Sequence, residues 1–546
     1  MLDLKTNNIF TNKVYAASLI LCLALRILFA INNPILTSDN AWQYEATKNK
    51  YMNGQFSNTT VNAENLNIIH VELLTKWPVG LSISVILLNR ITNNLLNATI
   101  LFEIAGSLLL LFGILKILTL FNTSLKTKIA FLGLFAVNNS VFYYSGTTDL
   151  FTAALYSWMI YYTLKMLQAN QKHYLYLTII SLLAAYAAML RLACIPNLAI
   201  FPFFFLLMAF INKTKRYVWF SFYTAGISLS IIILFYNIFP IAPGRTSFIE
   251  NIKNGVFFIE HLKWMDPFPL KAFIYTRPIE FRLPNNSTLL FVYRLSLLLL
   301  SFGFGLVLLW HILKKSNATW LAQLKKNQIQ SHFVLLLICT AAVVIGFITL
   351  QSLTVEPEAN SFGPSWMPRI WTFVYSTRYF IYLLISITIL FFLNYNASQN
   401  TKQGLFYSIT YLIFLTTSLG YFAFTTYQFY SPNGNGAASE WVNEKNSITA
   451  YRLINNIYQN ENKPHIVYTH HQKKHVEGLV TNFAFSHHCD DYETILSNQF
   501  HYTKKMVLIT SLPYPLTNKE IQFLKNKNFQ VLYCDNKEVL IRINLS

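Results

Sequence analysis

The sequence predicts an all-α polytopic membrane protein of about eleven transmembrane helices, followed by a small C-terminal extracytoplasmic α/β domain. Three observations predict it. Only 12% of the 546 residues are charged and 54% are hydrophobic, where soluble chains carry about 25% charge, so lipid is the main solvent. Apolar runs repeatedly reach the ~20 residues that cross a bilayer as a helix, and the mean hydropathy is +0.38. Beyond about Phe424 the chain turns polar, with short alternating apolar runs that read as strands.

The expected spans are, in order, 14–33, 98–121, 127–145, 149–167, 174–190, 193–211, 217–240, 288–310, 332–352, 376–394 and 405–424. The first contains Arg26 late in its apolar run. No small-residue cleavage site follows it, so it reads as an uncleaved span rather than a signal peptide. Alternate links hold Lys5 and Lys13, Lys126 and Lys128, Lys165 and Lys172, Lys213 to Arg216, Lys314 to Lys326, and Lys402. The other side holds nearly all the Asp and Glu. Lys and Arg mark the cytoplasmic side, so the N-terminus is expected inside and the C-terminal domain outside. The net charge of +19 is thereby a topology signal, and no nucleic-acid-binding signature accompanies it. Short loops and the lack of a lysine-rich retention tail favour a bacterial cytoplasmic membrane, the inner membrane where there are two.

Residues 1–424 therefore read as the transmembrane domain, with long external loops at 34–97, 241–287 and 353–375. Loops of this length are more often functional than connecting. The first opens with Ser38-Asp39-Asn40-Ala41-Trp42-Gln43-Tyr44-Glu45, a short helix, and continues through a second helical stretch around Ala63–Thr75 to Lys76-Trp77-Pro78-Val79-Gly80. Residues 425–546 read as the α/β domain. Its linker is Ser431 to Gly436, and an amphipathic helix follows, with Trp441, Val442, Ile448, Tyr451 and Ile454 among its apolar residues. Strand-like runs lie at His465–Thr469, Met506–Thr510, Phe529–Cys534 and Val539–Ile543. Thr517-Asn518-Lys519-Glu520 is a capping box that opens a helix between two of them. Cys22, Cys194 and Cys339 lie in apolar runs as packing residues, while Cys489 and Cys534 could form a disulfide.

Two acids stand at the starts of external helices. Asp39 suits helix N-capping and catalysis equally well on position alone, whereas Asp149, in Ser145-Gly146-Thr147-Thr148-Asp149, taken alone suits an N-cap better. A pair of carboxylates on one membrane face could share acid–base work or hold a divalent cation. Lys76, Arg191, Arg369 and Arg378 are candidate phosphate binders, because a guanidinium fork matches phosphate oxygens. Each taken alone also reads as a snorkelling anchor to lipid headgroups. Arg191 interrupts the apolar stretch 174–211, and central burial would cost about 2.5–3.5 kcal/mol on insertion scales, which places it at a turn between spans. The histidines of the C-terminal domain, His465, His470, His471, His475, His487 and His488, lack a metal-ligand spacing and read as surface residues. No metal site is assigned.

Taken together, these motifs resemble the GT-C superfamily of polytopic glycosyltransferases, in particular its protein O-mannosyltransferase and lipid A aminoarabinose-transferase branch. The resemblance rests on Asp39 with Tyr44, Lys76-Trp77-Pro78-Val79-Gly80, Thr148-Asp149 and Arg378-Tyr379, in that order. The first acid of the family is often followed by a second, where this chain has Asn40, and the family's double proline is here Pro78 alone. The resemblance implies a polyprenyl-phosphate sugar as donor, bound through its phosphate by Lys76, Arg191 and Arg378. It implies Asp39 and Asp149 as catalytic carboxylates, with Asp39 activating the acceptor, which could be a lipid, a glycan or a protein. The alternative is a transporter or flippase of a lipid-linked saccharide. Transporters place ionisable residues near the membrane midplane of paired repeats, and this chain shows no repeat.

Overall fold

The structure is a computed structural model that describes residues 2–32, 38–74, 77–138, 141, 147–169, 172–240, 251–255, 257, 273, 292, 296, 299, 303–307, 329–354, 377–399, 403–430, 465–470, 486–489, 491–502, 506–534 and 538–545. In chain order the principal elements begin with helices α1 (Leu2–Asn32) and α2 (Ser38–Asn53), strands β1 (Ser57–Val61) and β2 (Ile69–Leu73), and helices α3 (Gly80–Thr92), α4 (Leu95–Leu120) and α5 (Leu125–Val137). Helices α6 (Thr147–Gln168), α7 (His173–Leu190), α8 (Ile200–Asn212), α9 (Lys215–Ile238), α10 (Ile329–Thr354), α11 (Ile381–Ser398) and α12 (Gln403–Tyr430) follow. The last segment holds β3 (His465–His470), β4 (Ser486–His488), α13 (Tyr492–Leu496), β5 (Met506–Pro513), α14 (Asn518–Leu524), β6 (Phe529–Cys534) and β7 (Glu538–Leu545).

The chain divides into two compact units. One comprises Met1–Ala30 and Glu103–Tyr427, the other Ile31–Phe102 and Gln428–Ser546.

The first unit is helical. Among the described residues of the whole chain, 8 helices are long and apolar enough to cross a membrane, and each coincides with an expected span. The expected spans 127–145 and 149–167 correspond to α5 and α6. Helix α5 has only 13 residues, and α6 is rich in Thr and Tyr. Most of the expected span 288–310 lies outside the described residues. Helix α6 packs on α7, α9 on α7 and α8, and α10 on α6, α8 and α11. Small residues allow the closest approach. A Cβ on Gly106 would lie 3.2 Å from the Phe151 ring, and one on Gly113 would collide with the Ser157 hydroxyl, so α4 and α6 meet along a glycine seam.

Both ends of α5 are tied to neighbouring helices. At its start Asn396 Oδ1 accepts from Ser124 N (2.8 Å) and Thr127 Oγ1 (3.0 Å). At its end Arg26, 1% exposed, donates from Nε to Phe135 O (2.8 Å) and from Nη2 to Asn138 O (3.0 Å). The carbonyls of a helix's last turn have no partner within the helix and carry the negative end of its dipole. A buried guanidinium there is satisfied by the backbone.

The second unit is built on one seven-stranded sheet, ordered β2-β1-β4-β3-β5-β7-β6. Strands β1, β4, β3 and β5 run parallel, while β2, β7 and β6 pair antiparallel with their neighbours. The four expected strands are β3, β5, β6 and β7. The expected capping box opens α14, with Thr517 N donating to Glu520 Oε2 at 2.9 Å.

The loop at 34–97 differs from expectation. Instead of a helix over Ala63–Thr75, it forms the hairpin β1–β2, and these two strands complete the sheet of the C-terminal segment. Asn62 Oδ1 accepts from the backbone of Glu64 and Asn65, both at 2.9 Å, and Asn65 Oδ1 accepts from Asn67 N at 3.1 Å. Such Asx turns reverse the chain, after which Ile69, Val71 and Leu73 alternate with His70 and Glu72 at the period of a strand. Val61, Ala63 and Leu66 share one core with Val467, Ile495, Leu508, Phe523 and Ile541. Cys489 is buried and Cys534 exposed, and the disulfide between them considered from the sequence is not formed. The expected linker 431–436 and amphipathic helix around 441–457 lie outside the described residues.

Candidate functional site

In the helical unit the sequence-predicted residues Asp149 and Arg191 come together. Asp149 is the third residue of α6, where the unpaired N–H groups and positive dipole end of the helix favour a carboxylate. Thr152 Oγ1 donates to Asp149 O at 3.0 Å. Arg191 ends α7 with extended backbone (φ −152, ψ 124), and its N–H still donates to Ala187 O at 3.0 Å. Two short 3₁₀ turns, Leu192–Cys194 and Pro196–Ala199, then carry the chain into α8. Pro196 lacks an N–H to continue a helix ladder, so the break is written into the sequence.

Arg191 Nη1 pairs with Asp149 Oδ1, and the two side chains are 11% and 3% exposed. The guanidinium also lies over the ring of Tyr379, its Cζ 5.0 Å from the centroid. Tyr379 belongs to the 3₁₀ turn Thr377–Phe380 that precedes α11. Three discontinuities in the helices thus converge: the start of α6, the break before α8 and the turn before α11. One carboxylate and one aromatic face fix the cation among them.

A column of polar groups continues from this cluster into the bundle. Tyr382 Oη donates to Cys194 Sγ at 3.5 Å. The Tyr382 ring stacks on that of Tyr156 with centroids 4.3 Å apart and an interplanar angle of 6°. Tyr156 Oη in turn bonds Thr340 Oγ1 at 2.6 Å and Ser386 Oγ at 2.9 Å. Each hydroxyl finds a partner, as buried polar groups in an apolar bundle require.

The sheet-containing unit carries Asp39, the second residue of α2. The side chains of Asp39 and Arg378 lie outside the described part, as do Lys76 and Arg369 altogether. Arg378 has its backbone in the same 3₁₀ turn as Tyr379. Helix α2 is unusual in being buried all round from Gln43 to Asn49 while carrying few apolar residues. Hydrogen bonds hold it instead. Ser82 Oγ of α3 donates to Gln43 O at 2.9 Å, and Asn49 Nδ2 donates to Ser57 O at 2.6 Å. Glu45 Oε1 accepts from Thr59 N at 2.7 Å and Thr59 Oγ1 at 2.8 Å.

Sequence reasoning left Glu45, Thr59 and His487 without a role. His487, expected on the surface, is buried on β4, with Nδ1 3.0 Å from Thr59 Oγ1. The buried hydroxyl of Thr59 needs this second partner, which is why a histidine is found inside. Nothing local in the sequence marks the pairing.

Among the described residues no group of three His, Cys, Asp or Glu could hold a metal ion. The Asp149 carboxylate is engaged by Arg191. That argues against its holding the divalent cation considered from the sequence.

No protein-family model matches the chain, and no curated protein does. Among solved structures the chain is similar to ArnT from Cupriavidus metallidurans bound to undecaprenyl phosphate, with 10% identity, a TM-score of 0.43 and 98% of each chain covered. For the same protein in its apo state the identity is 11% and the TM-score 0.44, again over 98% of each chain. It is also similar to the archaeal oligosaccharyltransferase AglB from Archaeoglobus fulgidus in complex with an inhibitory peptide and a dolichol-phosphate. There the identity is 12% and the TM-score 0.41, over 88% of this chain and 64% of that one. Likeness at this level assigns no residue.

Proposed function

We propose that the chain is a membrane glycosyltransferase that moves a sugar from a polyprenyl-phosphate donor to an acceptor on the extracytoplasmic face of a bacterial cytoplasmic membrane. The observation that carries the proposal is the preset guanidinium of Arg191, fixed by Asp149 and Tyr379 where three helices are interrupted. A transferase with a phosphate leaving group uses such a cation, because fixed cations stabilise the charge that develops there without reorganising.

In this reading Arg191, Arg378 and Lys76 take the phosphate of the donor. Asp149, expected from the sequence as a second catalytic acid, acts on Arg191 instead. It neutralises the cation in the resting protein and holds its plane. Asp39 is the base. The acceptor oxygen attacks the anomeric carbon as its proton passes to the Asp39 carboxylate. The bond between that carbon and the phosphate oxygen breaks, and the electron pair leaves with the phosphate. Attack from the face opposite the leaving group inverts the anomeric centre.

The test is transfer from a radiolabelled undecaprenyl-phosphate hexose by the purified chain in liposomes, with cell-envelope extract as acceptor source. The wild type is expected to yield labelled product. A general base contributes about 10²–10⁴-fold, so Asp39→Asn is expected to lose at least about 100-fold while remaining monodisperse. Movement of label between leaflets without product would overturn the proposal in favour of a transporter. Full activity of a folded Asp39→Asn protein would remove its central residue.

A further inference from the structure

Helix α2 has too few apolar residues to be held by packing alone, yet it carries the base of the proposed reaction. Its anchoring can be followed proton by proton. Thr59 has one hydroxyl proton and gives it to Glu45 Oε1 at 2.8 Å. Thr59 Oγ1 itself lies 3.0 Å from His487 Nδ1, and having no second proton it can only accept there. His487 therefore holds a proton on Nδ1 and donates it. The order of donation is His487 on β4, Thr59 on β1, Glu45 on α2, and each donor polarises the next.

The sheet itself does little to join these strands. Strands β1 and β4 share a single residue pair, Thr60 with His488, next to the hydrogen-bonded side chains. The side-chain relay supplements a backbone ladder that is one rung long.

We infer that Thr59 and His487 are positioning residues, which hold α2, and with it Asp39, through a hydrogen-bond relay that starts in the C-terminal segment and ends on Glu45. The catalytic consequence rests on the reading of Asp39 as the base, whereas the anchoring of α2 does not.

The test separates the two. Hydrogen exchange of the full-length protein in micelles is measured over 38–53, with β5 and β7 as the reference for global opening. Thr59→Val and His487→Leu, which remove the hydroxyl and the donor, are expected to raise exchange in α2 at least tenfold and leave β5 and β7 unchanged. Thr59→Ser and His487→Asn, which keep a hydroxyl and a donor in place, are expected to restore protection. In the transfer assay Thr59→Val is expected to lower kcat about tenfold with the donor KM within about twofold, because donor binding does not use α2.

Unchanged exchange in α2 for both Thr59→Val and His487→Leu would overturn the inference. So would loss of protection in β5 and β7 together with α2, or failure of both conservative variants to restore it. A wild type that transfers no sugar would defeat the proposed function and leave the exchange result to decide the anchoring.

Discussion

A guanidinium set between two apolar helices must be neutralised and shielded from lipid, and Arg191 meets both needs with the Asp149 carboxylate and the face of Tyr379. Lysine would keep the charge but lose the flat fork that pairs and stacks at once. Arg191→Lys is therefore expected to fold and to weaken donor binding about tenfold, or about 1.4 kcal/mol, seen as a raised donor KM in the transfer assay. Asp149→Asn removes the neutralising charge and is expected to be the more damaging change. A cation left without its partner in a low-dielectric place costs about 3–5 kcal/mol, which the thermal midpoint of the protein in micelles would register. Both residues stood out in the sequence, since a charge within an apolar run is conspicuous. Their pairing was not legible, because it depends on how α6 and α7 pack. Tyr379 was visible only as half of an Arg-Tyr motif, and its face on Arg191 depends on the same packing.

At the scale of elements, helix ends and helix seams carry the information. Helices α4 and α6 approach closely because Gly113 leaves room for Ser157. Gly113→Ala is expected to destabilise the helical unit by about 1–3 kcal/mol, the usual cost of overpacking, and Ser157→Ala in the same chain is expected to recover most of it. Thermal unfolding in micelles of the two single variants and the double variant checks this. In the other unit the Glu520 carboxyl caps α14. Burial raises its pKa, but the bonds it accepts from Thr517, from its own backbone and from Tyr492 outweigh burial and hold it below the ordinary carboxylate value. A group depressed in the folded state stabilises fully above its unfolded pKa and loses that contribution as pH falls through the folded pKa. Glu520→Gln is thus expected to cost about 0.5–2 kcal/mol at pH 7, and the gap from wild type is expected to close under acid, as thermal midpoints at pH 7 and below pH 4 would record. This capping box was readable in the sequence because its residues are local. The β1–β2 hairpin was misread as helix, since its Asx turns look like a helix start until the alternation beyond Ile69 is weighed.

For the whole molecule, the sequence placed the domain boundary near residue 424 by composition, and composition cannot reveal that a sheet borrows strands from elsewhere. Val61, Ala63 and Leu66 sit in the same core as Leu508 and Ile541. Residues 428–546 expressed alone are therefore expected to aggregate or to expose apolar surface to dye. Fusing 55–74 to that segment is expected to improve its yield and sharpen its melting, as dye binding and scanning calorimetry would show. A segment that behaves identically with and without the hairpin would count against the shared core.

That shared sheet also sets a clock. Thr59 and His487 are 428 residues apart, and ribosomes add about 5–20 residues per second. The hairpin must wait roughly 20–90 s after its own synthesis before the strand that completes it exists. Throughout that interval β1 offers an open edge, and its neighbours Val61 and Leu66 lack a core. A chain truncated before β4 never closes this edge. Closure of the β1 edge thus reports that synthesis has passed His488, so the first strand of the sheet is among the last to be paired.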